Sequence, residues 1–390
     1  MRARPSAVQL AATTIVAAVA GLGCSGSGGT ESDGNIATAA DLGRALFADP
    51  ELSEPPGQAC ADCHAPGAAF RDPEDDHSTS AGAVPGRFGA RNSPTAMYAA
   101  QVPALHYDPD ARGLVGGLFW DGRAASLEDQ ATGPLLNPLE MNNPSVARVA
   151  DKLRRGTYAP VFRGLYGGDA LDDDARAFAY LTAALAAYER SPALAPFSSK
   201  YDRYLAGTAT LTAEEQRGLA IFEDPARGNC ASCHPSRPSA DGAPPTFTTF
   251  AYANLGVPAY PNNMFYVQAT NPAGAQYIDH GLMATTGDPQ HDGLFRIPTL
   301  RNVGRTGPYG HNGYFASLAY FVDFLNTRDV GSSSVGTCSR ATGATTATCA
   351  WPPAEITATV DHRVGHLGLG TRDVDDLVAF LRTLTDARRD

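Results

Sequence analysis

Cys60-Ala61-Asp62-Cys63-His64 is the stretch that decides this chain, and it returns as Cys230-Ala231-Ser232-Cys233-His234. Two thiols at this spacing can add to the two vinyl groups of one haem. The histidine that follows then lies beneath the ring as the proximal iron ligand. With 7 cysteines and 9 histidines in 390 residues, roughly 0.003 such motifs are expected by chance in one chain. Two occurrences imply two haem c groups, bound through Cys60, Cys63, Cys230 and Cys233 and ligated by His64 and His234. A zinc site made from the four cysteines would not need a histidine directly after each pair.

The surroundings of the two motifs are also duplicated. Gly43-Arg-Ala-Leu-Phe47-Ala-Asp-Pro50 precedes the first, and Gly218-Leu-Ala-Ile-Phe222-Glu-Asp-Pro225 precedes the second. Both lie in short helical patterns. The second opens on a capping box, Thr212 with Glu215 three residues on. An apolar helix closes each half, Ala175–Tyr188 in the first and Asp373–Leu384 in the second. Helix, motif and closing helix make a small cytochrome c-like unit. The spacing predicts a mainly α protein of two tandem haem domains with long Gly/Pro-rich loops, 41–205 and 206–390. The boundary falls near Ser191 to Leu211, which contains Pro192, Pro196 and Gly207. No strand-rich segment competes.

The composition agrees. At 43% hydrophobic and 18% charged residues the chain is globular, and its 40 glycines and 29 prolines predict many loops. A formal net charge of −11 argues against a nucleic-acid partner and suits docking of a small basic electron carrier. Residues 1–24 read as an export signal, with Arg2 and Arg4 before an apolar run too short to span a membrane. The run ends at Cys24 and leads into a flexible tether, 25–40. This resembles a bacterial lipoprotein signal with an imperfect lipobox, since Gly21 stands where Leu is usual. Cys24 is then a lipid anchor, and the membrane is touched only through that lipid. Cleavage that leaves a spare cysteine is the alternative. Cys338 and Cys349 remain, flanking a Ser/Thr/Gly/Ala loop. In an oxidising periplasm they would form a disulfide, and two free thiols are the alternative.

Further segments stand around the two motifs. Arg91-Asn92-Ser93-Pro94-Thr95 precedes Phe119-Trp120-Asp121-Gly122-Arg123. Gln130, Gly133-Pro134-Leu135 and Glu140-Met141 follow. Later come Phe295-Arg-Ile-Pro298-Thr-Leu-Arg301-Asn302-Val303, Thr306-Gly307-Pro308-Tyr309 and His311-Asn312-Gly313. In this order they resemble the bacterial dihaem cytochrome c peroxidases and their MauG-like relatives, over roughly Asp41 to Thr385.

That resemblance implies a peroxidatic haem at the first motif and an electron-accepting haem at the second. It makes Trp120 the relay between them, Glu140 the distal acid–base and Gln130 its companion. It also implies a calcium site from Asn92 and the carbonyls of Thr306 and Pro308. The activity implied is reduction of hydrogen peroxide with electrons from a small cytochrome c or cupredoxin. A MauG-like oxidase of a protein or organic substrate and a non-enzymatic electron carrier are the alternatives, and a homodimer is left open. The place implied is the periplasm, with an outer-membrane anchor if Cys24 is lipidated. The chemistry fits, because peroxide cleavage needs an open iron position and a group that takes a proton from one oxygen and returns it to the other.

Two departures stand out. The family's peroxidases often carry a histidine that caps the first haem at rest, shortly before the RNSPT segment. Here the comparable position is near Val84, and His77 is the nearest histidine. The family also takes a Met or Tyr as sixth ligand of the second haem, from the helix after His-x-Gly. That helix is Ser317–Asn326 here, and Leu325 falls at the ligand position. Tyr320, Asn326, Met264 and Met283 are the substitutes the sequence offers.

Overall fold

The computed structural model describes residues 36–74, 77–330 and 351–387. Cys24, Cys338 and Cys349, and with them the expected lipid anchor and disulfide, lie outside the described residues, as does the export signal. Residues Ile36–Asp390 cluster as one compact unit.

Helices dominate its regular structure. They are α1 (Ala39–Phe47), α2 (Cys60–Cys63), α3 (Leu127–Leu136), α4 (Val146–Arg155), α5 (Ala159–Tyr166), α6 (Asp174–Glu189), α7 (Lys200–Leu205), α8 (Ala213–Glu223), α9 (Met283–Thr286), α10 (Leu318–Thr327) and α11 (Thr371–Arg382). Local chemistry sets their starts. The Thr212 hydroxyl accepts from Glu215 N–H while the Glu215 carboxylate accepts from Thr212 N–H, completing the expected capping box of α8. Thr38 and Asp41 do the same for α1. Among the described residues the strands form two short antiparallel ribbons. β1 (His106–Asp108) pairs with β2 (Gly113–Val115), and β3 (Tyr252–Ala253) pairs with β4 (Phe295–Arg296). Strands of two or three residues carry too weak a period to be read from sequence.

Two helix pairs carry the cores. α1 packs on α6, burying Leu42, Leu46 and Phe47 against Leu181 and Leu185. α8 packs on α11, burying Ile221 and Phe222 against Leu377, Phe380 and Leu381. Each such side chain contributes about 1.5–3 kcal/mol on burial. The repeated glycine explains how close the helices come. A methyl group at Gly43 would fall on the Ala184 carbonyl and crowd Tyr188, and one at Gly218 would fall on the Asp376 carbonyl and crowd Phe380. Between the cores, Leu194 belongs to the first and Tyr201, on α7, to the second.

Polar groups lock the halves together. Arg91 pairs with Asp279 at 2.6 Å and with Asp121 at 2.7 Å. Gln268 accepts from Phe88 N–H and donates to Phe88 O. Asp386 receives the Tyr98 hydroxyl from one half at 2.7 Å and the Asn302 amide from the other at 2.9 Å. Within each half, Tyr98 N–H donates to Leu194 O and Asn302 N–H donates to Leu384 O.

Candidate haem sites

Each histidine is held through Nδ1. His64 Nδ1 lies 3.1 Å from Phe70 O, and His234 Nδ1 lies 2.7 Å from Phe247 O. A ring that donates from Nδ1 keeps Nε2 as an acceptor, which is the form an iron ligand needs. Burial holds both imidazoles below their ordinary pKa, His234 down to about 4, against the opposing pull of those carbonyls. Burial also pushes the thiols of Cys60, Cys63 and Cys230 up to about 12. The pairs lie in separate cores, so the four cysteines do not come together as one zinc site.

The carbonyls are aimed by a device repeated in both halves. Phe70 and Phe247 both have φ of +54°, a strained setting for a bulky residue. The hydroxyl of Thr95 donates to Ala69 O and that of Thr299 to Thr246 O, each at 2.6 Å. Each threonine sits in a Pro-Thr pair and holds the residue just before the phenylalanine. The rings then pack alike. Phe47 meets Phe70 at 6.0 Å and Tyr188 at 5.4 Å; Phe222 meets Phe247 at 6.3 Å and Phe380 at 5.1 Å. Sequence reasoning missed Phe70, Phe247, Thr95 and Thr299. The shared Pro-Thr pair was the signal available.

The surroundings of the two histidines differ. Near the first, Glu140 follows α3 and is half-buried; its backbone carbonyl accepts from Ala83 N–H at 2.8 Å. Burial raises its carboxyl above the usual range, while the Asn137 amide at 2.7 Å and the more distant Arg123 oppose the rise. Its charge is felt at Cys60 and Cys63. Gln130 lies on α3, half-buried. A second carboxyl, Glu189, sits at the end of α6, 9% exposed and raised to about 7 by burial. It too acts on Cys60. The helix register that matches Tyr188 with Phe380 matches Glu189 with Leu381.

The second site is apolar on the side of α10 and α11. His234, Cys230 and Cys233 open onto a cavity walled by Leu325, Phe321 and Val322 of α10 and by Leu377 and Leu381 of α11. Leu325 lines the cavity that also receives His234. None of the four substitutes lines this cavity. Tyr320 packs on Trp351 at 5.0 Å, and the Asn326 side chain is used by Leu369 O and N–H. Met264 starts a 3-10 turn and Met283 starts α9.

Trp120 and Asn92 line the same cavity. The Trp120 indole donates to Asn92 O at 2.8 Å. The Asn92 amide lies 2.7 Å from Pro308 O, and Thr306 also borders the cavity. Half a turn of that amide would set its oxygen beside the Pro308 carbonyl, and such neutral oxygens suit calcium. His77 packs edge-on against Phe88 at 4.9 Å beside a polar cavity with Arg71 and Arg305.

Comparison with known proteins agrees with this two-haem architecture. Residues 37–210 match the family model described as di-haem cytochrome c peroxidase. The methylamine utilization protein MauG of Paracoccus denitrificans is 41% identical, over 90% of this chain and 89% of that one. Cytochrome c551 peroxidase of Nitrosomonas europaea is 30% identical, over 73% of this chain and 72% of that one. The crystal structure of the diheme peroxidase BthA from Burkholderia thailandensis aligns with a TM-score of 0.77 and 36% identity, covering 90% of this chain and 86% of that one. The chain belongs to the di-haem cytochrome c peroxidase and MauG family. It has that family's mostly helical fold, two haem c groups and an oxidoreductase role.

Proposed function

We propose that the protein reduces hydrogen peroxide to water at the haem held by His64, using electrons from a small cytochrome c or cupredoxin that pass through the His234 haem and Trp120. The observation that carries this reading is the raised, half-buried Glu140 carboxyl whose charge reaches both cysteines of the first motif. The haem supplies the iron that binds peroxide. Ionised Glu140 takes the proton from one peroxide oxygen and returns it to the departing oxygen, a shuttle helped by the burial that raises its carboxyl above the usual range. Asn137 orients that carboxyl, and Gln130 on α3 is assigned the companion role that the family resemblance implies. The indole hydrogen bond to Asn92 O holds Trp120 in orientation. Calcium on Asn92, Thr306 and Pro308 would stiffen the same backbone. The domain division at 205/206, a periplasmic location and anchoring through Cys24 belong to this reading.

Steady-state oxidation of a reduced cytochrome by peroxide tests it. A rate no faster than that of free haem overturns it. A second reading, a MauG-like oxidase of a protein or organic substrate, is favoured by the 41% identity to MauG and by the residue near Val84 not being histidine. A long-lived oxidised state after peroxide, with no consumption of reduced cytochrome, would select it.

A further inference from the structure

We propose that the His234 haem keeps one coordination face open, toward α10, and that this face binds a small uncharged ligand of the carbon monoxide or nitric oxide class. The cavity that receives His234 is walled by Leu318, Phe321, Val322 and Leu325. They recur at helical spacing, so one face of α10 is turned into the cavity. Every group on that face is hydrocarbon, and none can donate an electron pair to iron.

The other lining side chains with donor atoms are engaged. Met97 Sδ accepts from the Asn302 amide at 3.3 Å. The Tyr98 and Tyr309 hydroxyls donate to Asp386 and to Val303 O, each at 2.7 Å. Asp279 is clamped by Arg91. His311 and Glu355 are the rivals, and the Glu355 carboxylate accepts from Asp279 N–H at 3.4 Å. His311 is 5% exposed, and its buried Nε2 makes no hydrogen bond, the Glu355 carboxylate being 3.8 Å away. Its ring lies flat on Phe295 at 3.7 Å with 10° between planes, so turning to iron would break that stack.

The wall also selects the ligand. An anion entering a hydrocarbon pocket loses its hydration without a hydrogen bond in return, whereas a neutral diatomic loses little. α10 brings no acid–base group to this face, and peroxide cleavage requires one there.

The inference rests on haem attachment at the second motif and not on peroxide reduction. A steady-state peroxidase assay on the same sample therefore separates failure of the two. The test uses the protein carrying both haems. Electron paramagnetic resonance of the oxidised protein should show the His234 haem high-spin. Carbon monoxide titration of the reduced protein should reach two equivalents per chain. Leu325→Met should convert one haem to a six-coordinate, low-spin state with a sulfur-to-iron absorption band and weaken carbon monoxide binding at that haem at least tenfold. His311→Gln, and separately Cys338→Ser with Cys349→Ser, should leave both spectra unchanged.

One carbon monoxide per chain in the wild type overturns the proposal. So does an unaltered spectrum in a folded Leu325→Met protein, or a new high-spin haem in the His311 or cysteine variants. The titration needs no substitution, so the test stands even if Leu325→Met misfolds.

Discussion

The two halves share a frame and differ in their walls. Gly43 and Gly218 make the same helix crossing, Thr95 and Thr299 aim the same kind of carbonyl, and the phenylalanine clusters repeat within a few tenths of an ångström. Around that frame, the first half gathers Glu140, Asn137 and Glu189, and the second gathers Leu325, Phe321 and Leu381. One frame is thus built twice and surrounded by different side chains, and on the proposed function that difference is what separates the two sites. Buried carboxyls gather at one site, and α10 and α11 turn hydrocarbon toward the other.

The sharpest way to break that contrast is Glu140→Gln. It should lower peroxide turnover about 10²–10⁴-fold with haem spectra unchanged. A loss below tenfold in stopped-flow or steady-state assays would remove the distinction between the sites. In the wild type, kcat/KM should fall as pH drops through the raised Glu140 pKa, because the ionised form takes the first proton. The acidic limb should lie above the ordinary glutamate range of about 4.3.

Glu189 provides the next test. Its carboxyl titrates near 7 in the folded protein, above its unfolded value, so the proton stabilises the fold and its loss with rising pH costs stability. Glu189→Gln should therefore stabilise the protein above pH 7, by about 3 kcal/mol, and change little below about pH 4.5. Leu381→Gln, at the matching position, should destabilise at every pH. Denaturant melts at two pH values measure both, and a pH-independent Glu189→Gln effect would count against a buried carboxyl there.

The shared frame is tested by smaller effects. Gly43→Ala and Gly218→Ala should each cost about 2 kcal/mol through overpacking at the helix crossing. Unequal losses by calorimetry would show that the halves are not held alike. Thr95→Val and Thr299→Val should each cost about 1 kcal/mol by leaving a carbonyl without its donor. Each should also shift the spectrum of its own haem only.

Much of this was legible in the sequence. The CxxCH pairs, the α8 capping box, the closing helices and Leu325 rest on local patterns, and local patterns survive folding. The carbonyls of Phe70 and Phe247 did not show. They follow their histidines by 6 and 13 residues, so no common spacing marks them, and their φ angles are set by the fold. Glu140 could be named by resemblance, but the burial that raises it comes from chain packed around it. Glu189 looked like one more helical carboxylate, and only the register against Leu381 singles it out.

The convergence of Tyr98 and Asn302 on Asp386 has a consequence in time. Tyr98 is 288 residues from that carboxylate, and contacts so distant form late because long loops must close first. While the chain emerges, the first half lacks the partner that ties it to the second, and both CxxCH segments stay reachable. Asp386 is thus expected to close late, and a late closure would leave time for haem to be attached first. Its early replacement by asparagine or alanine should show less in the finished fold than in the yield of fully haem-loaded protein.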